Sequence, residues 1–363
     1  MKSTLSKKWR WVGALPLIGS FAVCADTVTA TNSNVDISPY IVNGTDASTS
    51  DFPSIASLFI DSLEYDGIYY PEPYCGATIL DTEHILTAAH CIYGNERAQL
   101  FTVVVPQLSD VDNYPSGNIQ RRRIAEVYYH DGFNNNLSQL LQNDVAILKL
   151  ADTINIDSVN DVVKLPENED YRSQIIPPEF VAIGHGDTVS GFDSTTLLQR
   201  VDLNLITNQS CSDKFTNGAS LTDNQVCFNG DYSPITRLNG GTCQGDSGGP
   251  VYWRDGSDYV QVGITSFGPS QCGYTGGVTA VFTEINDFNA WITSVINGNE
   301  IPKATSTDLK RRAYLSQHGS IQTVSNSSES SSGGALSTLC LGVLLALGLR
   351  RTRSNRVLQG SRR

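Results

Sequence analysis

The sequence predicts an all-β fold, a barrel or a sandwich, over residues 41–296. Three observations carry this. Short apolar runs recur at 77–80, 85–88, 101–105, 145–150, 180–183, 251–253 and 260–264, with Gly, Asn and Asp between them. The chain holds 31 glycines, which suits a turn-rich protein. Helical spacing is clear only at the end of the stretch, where Phe288, Trp291, Ile292, Val295 and Ile296 share one face and predict a single short C-terminal helix.

From the N-terminus, Lys2, Lys7, Lys8 and Arg10 precede an apolar run at 11–23, and Val23-Cys24-Ala25 offers a cleavage site after Ala25. Residues 1–25 therefore read as a secretory signal. A membrane anchor is the alternative, but the run is short for one. A lipoprotein signal acylated at Cys24 fits less well, because Val23 stands where a small residue is wanted. Residues 26–40 are polar, without apolar periodicity, and read as a pro-segment. The β-rich body occupies 41–297. Residues 298–334 are rich in Ser, Thr and Asn and read as a linker with no core. The apolar run 335–349 and the arginines after it, Arg350, Arg351 and Arg353, form a tail over 335–363. As a helix the run reaches about 22 Å, short of a ~30 Å bilayer core. A terminal helix packed on the body is the alternative. The run has no polar face, which favours a tail that meets a membrane only transiently.

Charge excludes one class of partner. Residues 41–299 hold 11 basic and 32 acidic side chains, a net charge of −21. Such a body repels nucleic acid and anionic lipid. With Cys24 removed and Cys340 in the tail, six cysteines remain: Cys75, Cys91, Cys211, Cys227, Cys243 and Cys272. An even number in an exported chain points to disulfides, and sequence alone permits fifteen connectivities. No Cys/His cluster has zinc spacing, and no acidic cluster is assigned to calcium; neither a metal nor an organic cofactor is expected.

Three short segments carry chemistry: Thr87-Ala88-Ala89-His90-Cys91, then Asn143-Asp144-Val145-Ala146-Ile147-Leu148, then Gly245-Asp246-Ser247-Gly248-Gly249-Pro250. A serine hydroxyl is a weak nucleophile and needs an adjacent base, itself oriented by a third group. By content and order, the segments resemble those of chymotrypsin/trypsin-like serine proteases, over Ile41 to about Ile296. The resemblance implies two packed antiparallel Greek-key β-barrels and a short C-terminal helix. It also implies a catalytic triad of His90, Asp144 and Ser247, with the Gly245 and Ser247 amides as oxyanion donors. Asp131 is the fallback carboxylate; His84, His130, His185 and His318 lack catalytic context. The substrates would be proteins or peptides, cut by a secreted enzyme acting as a monomer.

Further expectations follow from the same resemblance. Ile41-Val42-Asn43-Gly44 resembles an activated N-terminus whose freed amine pairs with Asp246, with Asn43 replacing a more usual glycine. Tyr40 precedes the cut where trypsin-activated zymogens carry Arg or Lys. The primary pocket would have Gly241 as its floor and Ser266, Phe267, Gly268 and Ala280 along its walls. Without a carboxylate at 241, burying a substrate cation is costly. An apolar or aromatic residue before the scissile bond is expected, and that pocket would also accept Tyr40, so self-activation is open. The alternatives are Arg/Lys specificity from an acidic group elsewhere, or a non-catalytic binding protein on the same scaffold. The implied disulfides are Cys75–Cys91, Cys211–Cys227 and Cys243–Cys272. Finally, Gly333-Gly334, the apolar run and the arginines resemble Gly-Gly sorting tails of Gram-negative secreted proteins, which are removed after export.

Overall fold

A computed structural model describes residues 41–319, apart from 174–178, 192–194, 215–218 and 279. The expected signal, pro-segment and sorting tail lie outside these residues. Among the described residues no helix is long and apolar enough to cross a membrane.

The first half of the chain supplies β1 (Thr45–Asp46), β2 (Ile55–Ile60), β3 (Cys75–Ile79), β4 (His84–Thr87), β5 (Thr102–Pro106), β6 (Arg122–Tyr129) and β7 (Ala146–Leu150). The second supplies β8 (Phe180–Gly184), β9 (Gln199–Ile206), β10 (Gln225–Gly230), β11 (Pro250–Asp255), β12 (Asp258–Phe267), β13 (Ala280–Glu284) and β14 (Ala304–Thr305). Helices are few: α1 (Leu63–Asp66), α2 (Glu96–Phe101), α3 (Asn208–Ser212), α4 (Asn289–Ile296) and α5 (Asp308–His318).

All pairings between strands are antiparallel, and each half closes on itself. β6-β5-β2-β3-β4-β7 is closed by β6 pairing β7, and β9-β10-β13-β12-β11-β8 by β8 pairing β9. The result is two six-stranded barrels, as expected. β2, β3, β4, β5, β8 and β13 are buried along their whole length, which explains why β3, β4, β5 and β8 read as continuous apolar runs. Only β9 shows the alternation of a strand with one wet face. The first barrel's core continues into α4 through Phe288, Ile292 and Val295. A smaller cluster links the barrels: Phe52 and Ile55 from one side meet Val181, Ile183 and Tyr252 from the other. The three disulfides pair as the resemblance implied. They close loops of 16, 16 and 29 residues, each worth about 3 kcal/mol in the chain-entropy model.

One expectation is corrected. The linker read from residue 298 contains structure: β14 and α5 fold back as a strap onto the first barrel. β5 covers β6 only at Arg122–Arg123, leaving the rest of that edge open, and β14 pairs there with Glu126 and Val127. The strap is held by a cation rather than an apolar stripe. Arg311, 4 % exposed, donates to the carbonyls of Leu100 and Ile124 at 2.7 and 2.9 Å. Tyr314 adds an edge contact with Phe101. Replacing Arg311 with Met removes both of these bonds, leaving the Ser306 hydroxyl as a donor to the Leu100 carbonyl at 3.0 Å. The chain should then lose about 3 kcal/mol of stability, read as a lower denaturant midpoint at unchanged slope.

Candidate active site

Each motif sits where a strand ends at the junction of the barrels. His90 lies in the one-turn 3₁₀ helix Ala89–Cys91 that follows β4, and the Cys75–Cys91 disulfide fixes that turn to β3. Asp144 immediately precedes the buried Val145 and β7, and is itself fully buried. Ser247 lies in the turn before β11 and stays partly open to solvent. The barrels touch here: the Gly76 amide of β3 donates to the Ser247 carbonyl at 2.7 Å. Gly248, at φ +79°, permits that approach, because a Cβ there would strike the Thr87 hydroxyl and the Gly76 carbonyl.

Asp144 is saturated with donors. Its Oδ2 lies 2.7 Å from His90 Nδ1 and takes the Ser266 hydroxyl at 2.6 Å, while Oδ1 takes the His90 amide at 2.8 Å. Thr283 holds the Asp144 carbonyl at 2.9 Å. Burial pulls the His90 pKa down, but the charge of Asp144 and its hydrogen bond outweigh burial and raise it above 6.5. This half of the site is therefore preorganised. On the other side of the ring, Nε2 lies 3.9 Å from Cys91 Sγ. No hydrogen bond joins Nε2 to the Ser247 hydroxyl among the described residues. Such bonds commonly tighten only in the substrate complex.

The turn around Ser247 leaves two of its amides unpaired among the described residues. The amides of Asp246, Gly248 and Gly249 donate to Cys243, Thr265 and Asp246 carbonyls. Those of Gly245 and Ser247 have no acceptor among the described residues. Gly245 sits at φ +97°, and a Cβ there would come within 2.9 Å of Gly186 Cα. The turn is anchored from below by the fully buried Asp246, which accepts the Gly186 and Cys243 amides at 2.8 Å each.

The first described residues pack into the second barrel. Ile41 joins its core with Tyr171, Phe228 and Phe282, and Val42 lies against the Cys243–Cys272 bridge. The Val42 carbonyl receives the amide of Gly241 at 3.2 Å. Asn43 adopts φ +61° and is pinned by Leu238 and Thr236, which explains how it replaces a glycine. Gly241 and Ala280 are buried and carry no charge, while Gly268 is exposed.

The remaining candidates read from the sequence separate from the site. Asp131 is exposed and ion-paired with Lys303. His84 is bound by Asp81, His130 packs on Phe288 and Trp291, and His318 stacks on Tyr314. Ser266, expected in a pocket wall, also gives its hydroxyl to Asp144, a link across 122 residues that no local pattern reveals. Among the described residues, two groups have ligand atoms close enough for a metal. In one, Cys75 and Cys91 are oxidised to a disulfide; in the other, Glu284 is already held by Tyr171 and Arg172.

Comparison with known proteins agrees with this geometry. A family model described as Trypsin matches residues 41–292. A venom serine protease of Polistes dominula is 30 % identical over 255 residues, covering 68 % of this chain and 83 % of the relative. Trypsin-1 of Astacus astacus is 29 % identical over 258 residues, covering 69 % of this chain and 98 % of the relative. The solved structure of neuropsin, a serine protease of mouse brain, superposes with a TM-score of 0.54 at 22 % identity, over 70 % of this chain and 98 % of that one; this last likeness speaks for the fold alone. With a family match across well over half its length, the chain belongs to the trypsin family and is a serine endopeptidase.

Proposed function

We propose that His90, Asp144 and Ser247 form the catalytic triad of this peptidase. The observation that carries the reading is the Asp144 carboxylate, buried and bound to His90 Nδ1 at 2.7 Å. Held so, Nδ1 keeps its proton and Nε2 is the free base. Ser247 Oγ attacks the scissile carbonyl while its proton passes to Nε2, and the new oxyanion accepts from the Gly245 and Ser247 amides. As the C–N bond breaks, Nε2 returns the proton to the leaving amine. Water then repeats the sequence on the acyl-enzyme and frees Ser247.

The pocket formed by Gly241, Ser266, Phe267, Gly268 and Ala280 takes an apolar or aromatic side chain before the scissile bond. No acidic residue occurs from Gly263 to Phe282, and Gly241 brings none to the floor. A buried Lys or Arg would lack a counter-charge. The chain is exported by residues 1–25 and activated by a cut after Tyr40 that frees Ile41, the form in which its amine would reach Asp246. The burial of Ile41 and Val42 and the tie from Val42 to Gly241 support that switch. The tail 335–363 serves sorting.

The test is a panel of peptides differing only in the residue before the cut, given to enzyme whose N-terminus is verified as Ile41. Tyr, Phe or Leu should exceed Arg and Lys by at least about 100-fold in kcat/KM, the scale of an unpaired buried charge. A preference for Arg would overturn the pocket assignment and leave the triad standing.

A further inference from the structure

A cleft of about 1130 Å³ opens beside the oxyanion turn, with Gln244 and Gly245 on its rim. It includes none of Gly241, Ser266, Phe267, Gly268 or Ala280. It therefore begins at the oxyanion donor and runs away from the acyl side, toward where the leaving peptide must lie. Its walls come from 71–74, 111–114 and 195–197.

Among the described residues three carboxylates line it, Glu72, Asp112 and Asp187, and no lysine or arginine does. None of the three forms an ion pair among the described residues. The stretch 188–196 that follows Asp187 contains no cation in sequence either. Asp187 accepts the Gly191 amide at 2.8 Å, and burial pushes its carboxyl pKa upward. A second observation is independent of the acids. His185 also lines the cleft, and its Nε2 is buried without a hydrogen-bond partner. Its Nδ1 has only a 3.4 Å contact with the Ser57 hydroxyl. Burial lowers the imidazole pKa to about 4 despite nearby Asp110, so it stays neutral at working pH and brings no positive charge. The wall is thus anionic, with an unsatisfied polar atom in it.

We propose that this cleft is a specificity site for peptides carrying Lys or Arg within the first three residues after the scissile bond. The inference rests on the assignment of Ser247 as nucleophile, which fixes where that bond lies. It makes the enzyme a two-sided reader, apolar before the cut and cationic after it. Glu72 and Asp112 are exposed and act at the rim, where they favour encounter with a cation and disfavour an acidic peptide.

The experiment uses the full processed enzyme and peptides with one shared acyl half. Arg, Ala or Glu is placed in turn at each of the first three leaving-group positions. At one position at least, Arg should exceed Glu about tenfold in kcat/KM at low salt, and the gap should narrow in salt. In the Glu72→Gln/Asp112→Asn double variant the Arg-to-Glu ratio should fall at least about threefold. The ratio is read within each enzyme, so a change in overall rate does not obscure it. Equal rates for Arg and Glu at all three positions, or a ratio unchanged in the double variant, overturns the proposal. An ester with no residue past the scissile bond separates the two readings. If it is hydrolysed while the peptide series is flat, only the cleft assignment fails; if it is not hydrolysed, the Ser247 assignment fails and the cleft assignment falls with it.

Discussion

Replacing Ser247 with alanine is expected to lower kcat on any peptide about 10⁶-fold, equivalent to about 8 kcal/mol of barrier. The loss is large because the substitution removes the attacking oxygen itself. The backbone amides of residues 245 and 247 remain in the variant, so a residual rate above that in water is expected from oxyanion binding alone. Stability should barely move. Ser247 is partly exposed, and its link between the barrels runs through its carbonyl, which alanine keeps. A thermal midpoint within a degree or two of the parent, measured beside the lost activity, separates a missing nucleophile from a broken fold.

Asp144→Asn should cost about 10⁴-fold in kcat. The carboxylate receives three donors, from the His90 amide, His90 Nδ1 and the Ser266 hydroxyl. An amide in its place has one acceptor oxygen and turns N–H groups toward a partner that must also donate. The imidazole then favours the tautomer with its proton on Nε2, where the base is needed. The pH profile should move too. His90 must be neutral to accept the serine proton, so rate is lost as pH falls through its pKa. In the parent that limb lies above 6.5, because Asp144 raises the pKa; in the variant it should move to lower pH. Stability runs the other way. A raised folded-state pKa means that protonated His90 stabilises the fold fully below its unfolded value, near 6.5, and that this contribution fades as pH rises through the folded value. The parent's stability advantage over Asp144→Asn should therefore be larger at pH 5 than at pH 8. An acid limb unmoved by the substitution would contradict the assignment of His90 as the base.

How far these features are legible in the sequence depends on where their causes lie. Many barrel strands are legible because they are buried on both faces, so that an apolar run falls on them, as on β4 and β8; the recurring runs leave β2, β6, β9, β10 and β13 unmarked. The three motifs are legible because backbone demands accompany the chemistry, as with the glycines at 245 and 248. What escapes has non-local causes. α5 carries no apolar stripe, and its attachment is Arg311 reaching two carbonyls on other elements, so composition alone reads it as linker. Ser266 reads from sequence only as a pocket residue; its hydroxyl bond to Asp144 at 2.6 Å shows only in the fold. Asp61 sits fully buried at the centre of Tyr114, Arg121 and Arg123, contacts 53 to 62 residues apart that leave no periodic trace. His185 has no motif around it, and only the cleft gives it meaning.

The most direct test of the account is to map the adduct of a fluorophosphonate probe on processed enzyme by peptide mass spectrometry. One equivalent is expected, on Ser247, with labelling rate and peptidase activity falling together in Asp144→Asn. An adduct on another residue, or none at all from a sample that still cleaves peptides, would contradict it.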